Sequence, residues 1–182
     1  HLVKKYKGSL SGEHGDGRVR GEFIPLMVGE KNYQLLRRLK YTFDANNILN
    51  PGKIVDTPPM DTSLRYEENQ ETRQFDTVFN FDRDEGILRA AEKCNGSGDC
   101  RKLPGSGGTM CPSYMATRNE KDTTRARANI LRDFLTNSEQ ANKFNHKEVY
   151  EVMDLCLSCK GCSSECPSNV DITTLKAEFL HQ

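Results

Sequence analysis

Cys156-Leu157-Ser158-Cys159-Lys160-Gly161-Cys162-Ser163-Ser164-Glu165-Cys166-Pro167 sets four cysteines at C-x2-C-x2-C-x3-C-P spacing. Two-residue gaps let one tight loop aim three thiolates at three corners of a cubane, and this is a ligand spacing of [4Fe–4S] clusters. The proline after the fourth cysteine turns the chain away, because it cannot extend a helix that began before it. Zinc is the competing reading. Zinc sets of four cysteines typically come as two separated C-x2-C pairs, and three cysteines in one short loop favour the cubane. The stretch identifies a chain that moves electrons.

Outward from this loop, residues 85–182 read as a helical domain. Thr123 or Thr124 caps a helix predicted to run to about Thr136, with Ile130, Leu131, Phe134 and Leu135 on its inner face. A second helix, about Lys147 to Leu155, delivers the chain to Cys156. Asp171 caps a third, whose Ile172, Leu175 and Phe179 share a face.

An internal echo organises this domain. Cys111-Pro112-Ser113 repeats Cys166-Pro167-Ser168, and each closes a cysteine group. In two-motif ferredoxins the cysteine before proline ligates the other motif's cluster. Under that rule Cys111 is the fourth ligand for Cys156, Cys159 and Cys162, and Cys166 crosses to Cys94 and Cys100. The first motif is degenerate, with five residues between Cys94 and Cys100 and ten between Cys100 and Cys111. Seven thiolates are one short of eight. Three outcomes stay open: a [3Fe–4S] cluster, a [4Fe–4S] cluster with a non-cysteine ligand, or no second cluster, with Cys94 then a buried thiol.

Upstream, residues 1–56 carry Ser11-Gly12-Glu13-His14-Gly15-Asp16-Gly17-Arg18. A helix is predicted from about Lys31 to Asn46, with Leu35, Leu36, Leu39 and Phe43 as its apolar stripe, and Asn50-Pro51-Gly52 reads as a turn. So short a segment buries little core by itself, so its stripe is expected to meet sequence absent from this chain. Gly12, Gly15 and Gly17 allow the backbone a close approach to a planar cofactor or substrate. A structural turn explains the same glycines, and no clear strand precedes them as a dinucleotide fingerprint requires. Residues 57–84 open on Pro58-Pro59 and read as an extended linker with Phe75, Val78, Phe79 and Phe81 as docking anchors.

Basic and acidic residues balance at 26 each, so no large net field draws the chain to nucleic acid or an anionic membrane. A mean hydropathy of -0.73 and the lack of any apolar run near ~20 residues argue against a membrane span. Seven cysteines, an odd number clustered at metal-ligand spacing, indicate a reducing compartment, so a cytoplasmic location is expected, with peripheral contact at the inner face of the membrane an option. The chain opens at His1 in dense motif sequence, as a piece of a longer polypeptide would.

Residues 11–17 together with Ile48-Leu49-Asn50-Pro51-Gly52-Lys53 resemble the C-terminal end of FAD-linked oxidases, the D-lactate, glycolate and D-2-hydroxyglutarate dehydrogenases. The continuation resembles large bacterial proteins that fuse such a flavoprotein to a helical ferredoxin module. It does so through Leu64-Arg65-Tyr66, Cys94 to Lys102, Met110 to Tyr114, Thr124 to Asn129 and Cys156 to Cys162. The resemblance implies a mainly α chain: part of an FAD-linked oxidase C-terminal (α+β) domain, then an α-helical ferredoxin-like domain. It implies His14 as the base that takes the substrate hydroxyl proton and Glu13 as a ligand of a divalent metal such as zinc. Gly12, Gly15, Gly17, Asn50 and Lys53 would lie along FAD. Arg18 and Lys53 could face the substrate or the cofactor, the competing reading of each being a solvated charge. The implied partners are an upstream FAD-binding domain, a small 2-hydroxy acid, and an electron acceptor, either quinone or a further Fe–S or cysteine-rich domain. Competing readings are a non-catalytic Fe–S subunit that docks a separate flavoprotein, and a structural zinc module.

Overall fold

Thr123 starts the longest helix of the cysteine-rich half. Its hydroxyl accepts the Ala126 N–H at 2.9 Å, satisfying one of the donors a helix start leaves unpaired. The computed structural model describes residues 1–182, and they divide into two compact units, 1–70 and 71–182. The helices are α1 (Leu2–Lys5), α2 (Ile24–Val28), α3 (Glu30–Phe43), α4 (Ile87–Glu92), α5 (Pro112–Thr117), α6 (Thr124–Asn137), α7 (Lys147–Asp154), α8 (Gly161–Glu165) and α9 (Ile172–His181). Short 3-10 turns at Gly21–Phe23, Asp82–Asp84, Asp99–Arg101 and Glu120–Asp122 complete the regular structure, and there is no strand. The chain is mainly α, as its pattern implies.

In residues 71–182, α6 packs on α4 and α7, and α9 lies against α4 and α6. Ile87, Leu88, Ala91, Ala128, Leu131, Leu135, Val149, Met153, Ile172, Leu175 and Phe179 form one buried cluster. Each fully buried leucine here contributes about 1.5–3 kcal/mol. The Asp171 carboxylate caps α9 through the N–H groups of Thr173 at 3.0 Å and Thr174 at 3.2 Å. The inner face of α6 is rotated from the predicted one. Thr124, Arg127, Ala128, Leu131 and Leu135 are buried, while Ile130 and Phe134 are only partly so. The stripe runs through an arginine, which an apolar count passes over.

The stretch before α4 docks in two ways. Phe81 is buried, and Phe75 packs edge-on against Phe144 with ring centroids 5.5 Å apart. Val78 and Phe79 leave their side chains exposed and dock by backbone, donating to Glu178 Oε2 at 3.0 and 2.9 Å. Burial alone would push the Glu178 carboxyl up. The Phe79 and Val78 N–H groups and the Gln182 amide outweigh it, so the group stays below the usual carboxylate range.

In residues 1–70, α3 buries no residue. Leu35, Leu39 and Phe43 are all exposed. Polar ties hold it instead: Tyr41 donates to Asp56 Oδ2 at 2.7 Å, Asp56 N–H donates to Tyr33 at 2.9 Å, and Arg37 pairs with Asp56 at 2.9 Å. The helix ends three residues before the predicted Asn46, because Asp44 turns the chain. Its carboxylate accepts the N–H groups of Ile48 and Leu49, both at 2.9 Å, and pairs with Lys40.

Candidate metal centre

Cys111 from the start of α5, Cys156 and Cys159 from the loop between α7 and α8, and Cys162 from α8 line one cavity. Met110, Ser113, Thr124, Arg127 and Ile172 are among the other residues of its wall, and the atom-free space there, open solvent included, is about 310 Å³. Cys94, Cys100 and Cys166 are not in this lining. The four thiols ring the cavity, and no three His, Cys, Asp or Glu groups converge as ligands of one metal ion would.

Each cysteine has a structural reason for its place. α7 ends at Asp154 and leads straight to Cys156, whose carbonyl accepts from Lys176 Nζ at 2.7 Å. Ser158 (φ 50°) and Lys160 (φ 62°) adopt left-handed backbone that reverses the loop twice. Cys162, in the first turn of α8, then meets the start of α9. Burial pushes its thiol up, against the backbone N–H groups of Ile172 and Thr173 that favour the thiolate. Cys111 is buried beside Arg127, whose Nη1 donates to its sulfur at 3.3 Å.

Arg127 is fully enclosed, at 0% exposure. Its Nη1 also donates to Asp122 O at 2.7 Å, its Nη2 to Ser113 Oγ at 3.0 Å and its Nε to Val152 O at 2.9 Å. The Asp122 carboxylate stands 3.9 Å away. Such enclosure of a guanidinium is costly unless its donors are met, and here one of them is spent on a cysteine sulfur. Four soft donors, a buried cation and helix-terminal N–H groups around one cavity suit a cluster of net negative charge. The signal for Arg127 was present in the sequence, since it sits three residues before Ile130 and four before Leu131 on the buried stripe.

The two Cys-Pro segments touch. Glu165, next to Cys166, accepts from Thr109 N at 2.6 Å, Thr109 Oγ1 at 2.8 Å, Met110 N at 3.3 Å and Lys102 Nζ at 2.9 Å. The Thr109 N–H, then Lys102, lowers its carboxyl to about 2. Gly161 permits the approach, because a Cβ there would sit 2.8 Å from Thr109 Oγ1. Cys94 and Cys100 lie toward the first turns of α6. Asn129 Nδ2 reaches Cys94 Sγ at 3.6 Å, and Cys100 is raised by burial while the Arg125 N–H favours its thiolate.

In the first unit, Glu13 Oε1 and His14 Nε2 pair at 2.9 Å with both side chains over four-fifths exposed. Gly15 and Gly17 have positive φ, and a Cβ at Gly12, Gly15 or Gly17 would meet nothing within 4 Å. Ile54 N–H donates to Gly17 O at 3.2 Å, which draws the Asn50–Lys53 turn alongside this open loop. Lys53 Nζ donates to Asn50 Oδ1 at 3.2 Å. These residues offer one open edge for a flat ligand, with an imidazole and a carboxylate on it.

Residues 1–54 match the family of FAD linked oxidases, C-terminal domain, and residues 93–171 match the 4Fe-4S dicluster domain. One end of the chain is thus similar to the end of FAD-linked oxidases and the other to dicluster iron–sulfur domains. Among curated relatives, D-2-hydroxyglutarate dehydrogenase of Escherichia coli K12 is 33% identical over 98% of this chain and 21% of its own length. The Pseudomonas putida protein of that name is 32% identical over 98% of this chain and 21% of its own length. A D-lactate dehydrogenase of Archaeoglobus fulgidus is 46% identical over 30% of this chain and 12% of its own length. The chain thus spans about a fifth of the length of the relatives that cover it. No solved structure matches it. No helix is long and apolar enough to cross a membrane.

Proposed function

We propose that this chain is the electron-exit end of an FAD- and iron–sulfur-dependent oxidoreductase that oxidises a D-2-hydroxy acid of the lactate, glycolate or 2-hydroxyglutarate class. The carrying observation is the meeting of Cys111 with Cys156, Cys159 and Cys162 around one cavity. These four thiolates would hold a [4Fe–4S] cluster, which when bound passes electrons one at a time. Arg127 and the α9 N–H groups steady the sulfur charge, and the buried walls limit water at Cys111 and Cys162.

At the other end, His14 serves as general base. With Nε2–H donated to Glu13, the lone pair left for the substrate hydroxyl proton is on Nδ1. Glu13 has a second oxygen free for a divalent cation such as zinc. The upstream domain of the same polypeptide supplies FAD, which when bound takes the hydride. Gly12, Gly15, Gly17, Asn50 and Lys53 form the edge along it. The acceptor beyond the cluster is a quinone or a further cysteine-rich domain, and the setting is the cytoplasm, where seven thiols stay reduced.

The test uses the full-length protein. D-2-hydroxy acids should bleach its flavin and then reduce a [4Fe–4S] centre. Cys111→Ala should remove that centre's signal while flavin bleaching persists. Retained FAD that no hydroxy acid bleaches would sink the dehydrogenase reading. A centre untouched by Cys111→Ala would sink the ligand assignment.

A further inference from the structure

Between Cys100 and Cys111 the chain has little of its own to hold it. Residues 102–110 form no helix, and 103–109 are exposed. Gly105, Gly107 and Gly108 take positive φ there, and glycine loses more freedom on ordering than any other residue. Yet this stretch leads straight into Met110 and Cys111, both buried, and Cys111 has to meet three thiols that come much later in the chain.

One side chain of the later cysteine motif fastens it. Glu165 ends α8, three residues after Cys162. Its Oε1 accepts the Thr109 N–H at 2.6 Å and the Thr109 hydroxyl at 2.8 Å. Its Oε2 accepts the Met110 N–H at 3.3 Å and Lys102 Nζ at 2.9 Å. Each oxygen therefore receives two donors, and the two backbone donors immediately precede Cys111.

The fit leaves no room for a methyl group on either side. A Cβ at Gly108 would lie 2.2 Å from Glu165 Oε2, and one at Gly161, the first residue of α8, 3.3 Å from Met110 N. α8 is only five residues long, with Ser163 and Ser164 exposed, so packing alone gives Cys162 a weak hold. The carboxylate joins the two weakly held sides of the cavity to each other.

We propose that Glu165 is a positioning residue of the metal centre: its carboxylate fixes the span between Cys111 and Cys162, so that the four thiols face one another before any cluster arrives. This role rests on the reading that these thiols hold a [4Fe–4S] cluster, and deepens it by naming what brings the distant ligand into reach. Groups that orient metal ligands from behind are typically worth about 10–100-fold in affinity. The place demands a carboxylate. Glutamine keeps the length, but whichever way its amide turns, an NH2 faces N–H donors.

The test uses the full-length protein, iron-loaded under anaerobic conditions and iron-free, with three variants. In the iron-free form, Cys111 and Cys162 should resist alkylation in the wild type and lose that protection in Glu165→Gln. Cys100, buried outside this cavity, should stay protected in both. In the loaded form, Glu165→Gln should yield iron to a competing chelator at about 10–100-fold lower chelator concentration. Gly108→Ala leaves the carboxylate intact but puts a methyl group where it sits, and should reproduce both effects. Lys102→Met removes the cation and keeps both backbone bonds, and should leave Cys111 and Cys162 protected.

Unchanged thiol protection and iron retention in Glu165→Gln would overturn the positioning role and leave the cluster reading standing. A Glu165→Gln chain that exposes Cys100 together with Cys111 and Cys162 also overturns it, because that is loss of fold and not of alignment. So does a Lys102→Met chain as exposed as Glu165→Gln, which would assign the effect to the ion pair. Wild-type protein without iron and acid-labile sulfide overturns the cluster reading, and this role with it.

Discussion

Replacing Arg127 with methionine keeps the stem and removes the guanidinium, and two consequences follow from its contacts. The first is stability. Val152 O and Ser113 Oγ each lose a donor, and Asp122 O is left with the Ser113 hydroxyl and the Cys111 thiol. Each unmet buried group costs about 1–3 kcal/mol, and breaking a buried charged arrangement as a whole costs about 3–5 kcal/mol. The individual costs overlap, so the whole-network figure is the better expectation. The second is redox. Reduction adds negative charge to the cluster proposed above, and the donor 3.3 Å from Cys111 Sγ stabilises that charge. A difference of about 1.4 kcal/mol between the two oxidation states corresponds to about 59 mV for one electron. The potential of the Arg127→Met centre should therefore fall by about that amount, measured by EPR-monitored titration. Arg127→Lys keeps the charge but not the fork of donors, and should fall less. A folded Arg127→Met protein with an unchanged potential would refute the argument that this arginine tunes the site.

Other expectations follow from particular contacts. Glu165 has a folded value of about 2 against an ordinary one near 4.3, so its stabilising contribution is present above the ordinary value and fades as pH falls toward 2. Denaturant midpoints of the iron-free wild type and Glu165→Gln should differ by a constant amount above about pH 5 and converge below about pH 4; a constant gap down to pH 2 would contradict this. Gly161→Ala pushes a methyl group against Thr109 and should cost about 1–3 kcal/mol in chemical denaturation. Thr123→Ala and Asp171→Ala each remove an N-cap and should cost about 1 kcal/mol by the same assay. In the full-length enzyme, His14→Ala should slow flavin reduction by about 10²–10⁴-fold in stopped-flow measurements, while leaving the iron–sulfur spectrum intact.

The parts of the fold legible in the sequence are those governed by short-range rules. Thr123 and Asp171 announce α6 and α9 because capping depends on residues two or three apart. Ile172, Leu175 and Phe179 are buried as their spacing predicts. What escaped the sequence depends on long-range closure. The place of Arg127 on the α6 stripe is legible, but its role is not until the carbonyls of Asp122 and Val152 and the sulfur of Cys111 are placed around it. Glu165 lies inside the cysteine motif and looks like a spacer, yet its partners are more than fifty residues away in sequence. The apolar stripe of α3 was legible, but its partner was not: Leu35, Leu39 and Phe43 remain exposed on residues 1–70. Val78 and Phe79 mislead for another reason. Their backbone groups, which carry no sequence signature, make the contact.

The split origin of the cavity wall has a consequence for how the protein is made. Cys111 leaves the ribosome well before Cys156, Cys159 and Cys162, and Cys162 takes its place against a helix made later still. Until Cys162 is made, the chain lacks one of the four thiols of this cavity. A chain cut short before Cys156 would carry Cys111 without the three thiols that share its cavity.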